Sequence, residues 1–266
     1  MAQATRIEDV VAAVTEAEAA APVYQFPPVF TPIKSEADIA LMVQNILPPV
    51  VHNVVAVAYD DSHEGVIKLD QIAWLCRGKQ NRREFAAPCT LVQRFAGHKY
   101  TLNIFEQRRF VVTGAANEAV ARLGITMSFD YIYRRTDLRF RVDRFRVTNI
   151  QATVYMPGAL NIALIHETLP TSLYRPDRIN MVTFSMKDPK ITFLLFPSGA
   201  VVMTGAKTRE ELCAAFVIAI PFFAHFVSST PADRDIKAHV DRIVKCILKR
   251  VEPHWLPLPL PALAAA

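Results

Sequence analysis

The chain has 266 residues, 52% of them hydrophobic and 21% charged, which is a composition able to bury a core and excludes a disordered polymer. A net charge of +5 permits a polyanionic partner without requiring one. Cys76, Cys89, Cys213 and Cys246 stand far apart with no CxxC pair, so they read as reduced thiols of a cytosolic or nuclear protein and not as a zinc site. No apolar run reaches membrane-spanning length, and the N-terminus lacks the pattern of a secretory leader, so secretion is not expected.

Residues 1–34 form an N-terminal extension. IEDVVAAVTEAEAA suits a short amphipathic helix, and PVYQFPPVFTP at 22–32, with four prolines in eleven residues, suits an extended linker. A first α+β unit is expected over 35–133. It opens on an extended segment around Asn45, MVQNIL at 42–47, followed by a short helix, KLDQIAWLCR at 68–77. Strands lead to a hairpin, FEQRRFVVTGAA at 105–116, and ANEAVARLG at 116–124 reads as a helix ending at its glycine.

A second unit, 134–228, repeats this order. RVTNIQ at 146–151 surrounds Asn149, GALNIALIHE at 158–167 is the short helix, and FPSGAVVMTGAK at 196–207 is the hairpin. TREELCAAFVIAIPFFAHF at 208–226 then forms a helix whose start has a capping box, Thr208 with Glu211. The two TGA triplets begin at Thr113 and Thr204, 91 residues apart, so two stacked copies of one α+β unit is the simplest account. Residues 229–266 add a helix over 231–250, with Ile236, Val240, Ile243, Val244 and Ile247 at helical spacing, and a proline-rich tail.

Alternation places residues on faces. Phe196 shares a strand face with Leu194, Thr204 with Val202, Phe105 with Asn103 and Thr113 with Val111; Asn149 goes with Gln151, and Asn45 with Leu47. The result is an apolar face dotted with small hydrogen-bonding groups. In RRTDLRFRVDRFRV (134–147), Leu138, Phe140 and Val142 alternate with Arg139 and Arg141, as in a strand with one solvated side or a phosphate-facing one. HExxH, GxSxG and a glycine-rich phosphate loop are all absent, and the seven histidines are scattered, so nothing points to an enzyme.

PKITFLLFPSGAVVMTGAKTREELCAAF (189–216), its echo at 105–116, and KLDQIAWLCRG, REFAAP (83–88) and FRVTN (145–149) in matching order closely resemble the TATA-box-binding protein family. The resemblance implies an α+β saddle: two pseudo-symmetric repeats, a curved antiparallel sheet, and helices on the convex face. It also implies a non-enzymatic transcription initiation factor with no cofactor and no metal, which binds the minor groove of A·T-rich double-stranded DNA and bends it with apolar wedges. Carried over residue by residue, the wedges are Phe85, Phe105, Ile179 and Phe196. The central hydrogen-bonding pair is Asn45 and Asn149, backed by Thr113 and Thr204, and the groove floor is Leu47, Val111, Gln151, Leu194 and Val202, with Asn103 opposite Leu194.

The departures belong to a divergent member, such as one carried by a large DNA virus. Ile179 replaces a ring, Asn103 and Gln151 are polar where aliphatic residues are expected, and Ser185 and Ala200 stand where basic residues face phosphates. Arg108 and Arg109 make the first half the more basic. TSLYRPDRI (171–179) aligns with the stretch that docks the B-type general transcription factor, through Tyr174, Arg175, Pro176, Asp177 and Arg178; its altered charge implies an altered partner within the RNA polymerase machinery. Action in the nucleus or at a viral transcription site follows. The alternative is a protein-interaction scaffold that keeps the saddle and has weakened or lost DNA binding.

Overall fold

Helix α1 (Glu36–Gln44) leads into strand β1 (Val50–Tyr59), the short helix α2 (Leu69–Leu75), strands β2 (Cys89–Phe95), β3 (His98–Phe105) and β4 (Arg109–Ala115), and the long helix α3 (Glu118–Thr136). The second half supplies β5 (Arg144–Tyr155), β6 (Ala159–Leu160), α4 (Ile162–Thr168), β7 (Leu173–Arg175), β8 (Ile179–Met186), β9 (Ile191–Leu195), β10 (Ala200–Ala206), α5 (Arg209–Ala224) and β11 (Val227–Ser228). The computed structural model describes residues 33–62, 66–80, 88–95, 98–169 and 171–228. The expected helix and linker before residue 33, Phe85, and the helix and tail after 228 lie outside them.

Nine strands form one antiparallel sheet in the order β2-β3-β4-β1-β5-β10-β9-β8-β7, while β6 and β11 pair separately. Outward from the β1–β5 contact the order is the same on both sides, with β7 added at the second edge. That central contact runs from Val50↔Thr153 to Tyr59↔Arg144. One face of the sheet is buried: Val54, Ala56, Ala58, Ile150, Ala152, Val154, Leu102, Ile104, Val201 and Met203 are inaccessible or nearly so. The α3 and α5 helices pack on it, and among the described residues the opposite face is the open one.

Local chemistry sets the helix ends. Asn117 caps α3 by accepting from the Val120 N–H, and Thr208 caps α5 by accepting from the Glu211 N–H. The Glu211 carboxylate reaches back one residue past the cap and accepts from the Lys207 N–H at 2.7 Å, a variant of the expected capping box. Helix α3 does not stop at Gly124 but runs on to Thr136. A Cβ on Gly124 would lie 3.1 Å from the Tyr100 ring, so this glycine serves close helix–sheet packing and not termination.

Two further expectations change. MVQNIL is not extended: Ser35 accepts from the Asp38 N–H, starting a helix that consumes residues 36–44 and ends at Asn45. Residues 137–143 lie outside any strand, and β5 begins only at Arg144. Their alternation still holds, because Leu138, Phe140 and Val142 pack on the core while Arg139 and Arg141 are exposed. Phe140 sits edge-on to Phe110 at 5.1 Å.

Candidate nucleic-acid interface

The TGA triplets and the asparagines form one device. Gly114 and Gly205 take left-handed backbone conformations, φ 85° and 112°, at the points where β1–β4 and β5–β10 slip register. Each glycine N–H leaves the ladder and donates to an asparagine side chain: Gly114 to Asn53 Oδ1 at 2.7 Å, and Gly205 to Asn149 Oδ1 at 2.8 Å. Asn149 also pairs with the Thr204 hydroxyl at 3.2 Å. The asparagine amides are thus held on the open face, with their oxygens committed to the backbone.

Asn53, not Asn45, is therefore the first-half partner of Asn149. Asn45 caps α1, and its Nδ2 donates to Leu41 O at 2.8 Å. Leu47 follows in an exposed coil, not on the sheet, and its place beside the central asparagine belongs to Val55. The signal is legible on comparing NVVAVAY (53–59) with NIQATVY (149–155), which share Asn, Ala and Tyr at the same spacing. Asn45 invites the error because MVQNIL is apolar on both sides of an asparagine, as a strand would be.

The other expected residues of this face reach it. Val111, Thr113, Asn103 and Phe105 lie on adjacent β4 and β3, with Asn103↔Val111 and Thr101↔Thr113 as cross-strand partners. Their counterparts Val202, Thr204, Leu194 and Phe196 lie on β10, β9 and the turn that follows, with Val202↔Leu194 and Thr204↔Thr192. All eight are partly exposed, while Leu102, Ile104, Val112, Phe193, Leu195, Val201 and Met203 between them are buried. Ile179 opens β8 and is 55% exposed, and Val92 and Leu173, at 53% and 68%, add apolar surface the TGA motif does not point to. Two polar replacements are internally satisfied: Asn103 Oδ1 accepts from the Thr90 hydroxyl at 2.8 Å, and Gln151 Oε1 accepts from Asn53 Nδ2 at 2.8 Å.

The two arginines of the first hairpin differ in availability. Arg108 occupies the left-handed position that Gly199 fills in the second hairpin, φ 56° against 83°. Its guanidinium donates to the buried Asp60 carboxylate at 2.8 Å and stacks 5.3 Å from Phe140, so it is a structural group and not a free phosphate ligand. Burial opposes ionisation of Asp60, but hydrogen bonds from Ser62 and Arg108 outweigh it and hold the carboxyl below its ordinary range. Arg109 is exposed, 4.0 Å over the Phe105 ring. Its counterpart is Ala200, whereas Arg94 and Lys99 have basic counterparts in Lys187 and Lys190. The charge difference between halves is accordingly narrower than Arg108 and Arg109 imply.

The segment Tyr174–Arg178 forms the tip of the β7–β8 hairpin. Arg175, Pro176, Asp177 and Arg178 are exposed there, and half-buried Tyr174 packs 5.8 Å from His166. Among the described residues, no three His, Cys, Asp or Glu side chains are grouped to hold a metal ion.

Residues 144–226 match the family model described as transcription factor TFIID, or TATA-binding protein. The chain is 30% identical to TATA-box-binding protein 1 of Triticum aestivum over 183 residues, 68% of this chain and 76% of that one. It is 31% identical to the TATA-box-binding protein of Candida albicans over 182 residues, 67% and 73% of the two chains. The solved structure of Methanococcus jannaschii TBP superposes with a TM-score of 0.53 at 22% identity, covering 68% of this chain and 99% of that one. That likeness is one of fold, an α+β saddle with two pseudo-symmetric repeats and a curved antiparallel sheet.

Proposed function

The chain belongs to the TATA-box-binding protein family, and from that premise we propose that it is a non-enzymatic transcription initiation factor that binds A·T-rich promoter DNA in the minor groove and bends it. The observation that carries this reading is the pair of Asn–Gly clusters, Asn53 with Gly114 and Asn149 with Gly205, on the one open face of the sheet. Each asparagine oxygen is spent on the backbone, which leaves amide N–H groups, with the hydroxyls of Thr113 and Thr204, to face the acceptors that A·T pairs offer there. Val55, Val111, Val202 and Leu194 supply the dry floor between them.

Phe105, the last residue of β3, and Phe196, the first residue after β9, stand at equivalent places and act as wedges between base steps, with Ile179 a smaller third and Phe85 the fourth. Arg94, Lys99, Arg109, Lys187 and Lys190 contribute phosphate contacts. The tip Tyr174–Arg178 docks a B-type general transcription factor of altered charge, bringing an RNA polymerase to the promoter in the nucleus or at a viral transcription site. The repeats 35–133 and 134–228 act as one unit in this role.

The test is binding and bending of a short fluorescently labelled TATA duplex. Affinity is expected to fall steeply with salt, and Phe105→Ala and Phe196→Ala are each expected to lose most of the bend read by fluorescence transfer. An unchanged bend angle in both variants would refute the wedge assignment. A second reading, the protein-interaction scaffold, draws on Ser185, Ala200 and Ile179; failure to bind A·T-rich and G·C-rich duplexes alike at low salt would favour it.

A further inference from the structure

One transverse row of the open face is polar throughout in the second half but not in the first. Asn53, Gln151, Thr204, Thr192 and Ser185 face one another across β1, β5, β10, β9 and β8 through successive register pairs. Every member is polar. The equivalent row of the first half reads Asn149, Val55, then across the bulge at Gly114 Thr113, Thr101 and Val92, so Gln151 stands where that half has Val55.

The hydrogen bonds fix how the Gln151 amide is turned. The Gly114 N–H can only donate, so Asn53 presents Oδ1 to it and turns Nδ2 toward Gln151. Gln151 must then present Oε1 to Asn53, at 2.8 Å, and Nε2 to the Thr204 hydroxyl, at 3.3 Å. Among the described residues these bonds leave one lone pair on Oε1 and one N–H on Nε2 unspent, and Gln151 is partly exposed on the open face. Resting on the DNA-binding reading above, we propose that Gln151 reads a guanine. Its Oε1 accepts from the guanine N2 amino group, the one donor the minor groove presents, and its Nε2 donates to the guanine N3 acceptor. An A·T pair at that place offers no donor and strands the Oε1 lone pair in a water-excluded contact. Val55 on the other side has no acceptor and keeps its half-site A·T-only. The preferred site is therefore an A·T tract with a single G·C pair displaced from its centre toward the second repeat, which also sets the direction in which the protein sits.

Fluorescence anisotropy of the full chain and of Gln151→Val tests this, against an unbroken A·T duplex and a set in which one G·C pair replaces each position in turn. The wild-type chain is expected to bind one off-centre member of the set at least as tightly as the unbroken tract. Gln151→Val should lose on the order of tenfold on that duplex relative to the unbroken tract. The reciprocal Val55→Gln should create a second tolerated position, mirrored across the centre. Matching thermal melts of the variants and wild type exclude misfolding, since each substitution installs the residue its own counterpart carries. If wild type and Gln151→Val rank the set identically, the proposal is overturned. If wild type binds none of the duplexes, the DNA-binding reading falls, and the proposal with it.

Discussion

Asn53 and Asn45 are the same residue type in similar apolar company, yet their surroundings give them different chemistry. The amide of Asn53 is oriented by a backbone N–H and faces the open sheet; that of Asn45 is consumed by its own helix. Asn53→Ala is expected to weaken binding to an A·T-rich duplex by roughly tenfold, the scale of one lost hydrogen-bonding residue, while Asn45→Ala leaves it unchanged in the same titration. Arg108 makes a second contrast, since its charge serves the fold. Removing it leaves the buried Asp60 carboxylate with its Ser62 bonds but no cation, so Arg108→Ala should cost about 3 kcal/mol in urea unfolding at neutral pH. The Asp60 pKa is lowered on folding, so its contribution is complete above the ordinary value of 3.8 and lost as pH falls through the lower folded value. The gap between wild type and Arg108→Ala should narrow over that acidic range.

Among the elements, α3 departs most from its sequence pattern. Gly124 looks like a stop signal, but the helix continues for twelve residues to Thr136 because the glycine lets α3 approach the Tyr100 ring. Tyr100 is 2% exposed and has little room to yield. Gly124→Val is therefore expected to destabilise by roughly 1–3 kcal/mol through overpacking, despite the intrinsic helix penalty of glycine, and a lowered melting temperature would register it. The hairpins were legible because turn chemistry is local: FPSG places glycine at the left-handed position of Gly199. FEQR was less so, because Arg108 holds the same backbone conformation only through its distant partner Asp60.

At the scale of the whole molecule, the two repeats share one sheet. β1 and β5 pair along almost their full lengths, and Arg209 joins the start of α5 to Glu118 at the start of α3 through two bonds of 2.9 and 2.8 Å. That ion pair is partly exposed and contributes at most about 1 kcal/mol; the ladder carries the junction. Residues 33–137 expressed alone would leave the ten-residue edge of β1 unpaired, and light scattering is expected to find oligomers or aggregate. A monomeric, cooperatively folding fragment would show that the shared sheet is dispensable.

The sequence by itself determined the strand alternation, both hairpins and the capped start of α5, because each depends on residues within a few positions of one another, and the repeat, because the same local signals recur 91 residues on. It also placed Asn149, Thr113, Thr204 and the phenylalanines 105 and 196 on the open face, since period-two alternation decides a strand's sides. Tertiary structure alone decided which asparagine partners Gly114, what Arg108 is for, and how the Gln151 amide is turned. Each of those rests on a contact between residues 48 to 98 positions apart. Local propensity carries no information about such partners: a lone asparagine, arginine or glutamine reads the same whether its hydrogen bonds go to solvent, to its own helix, or across the sheet.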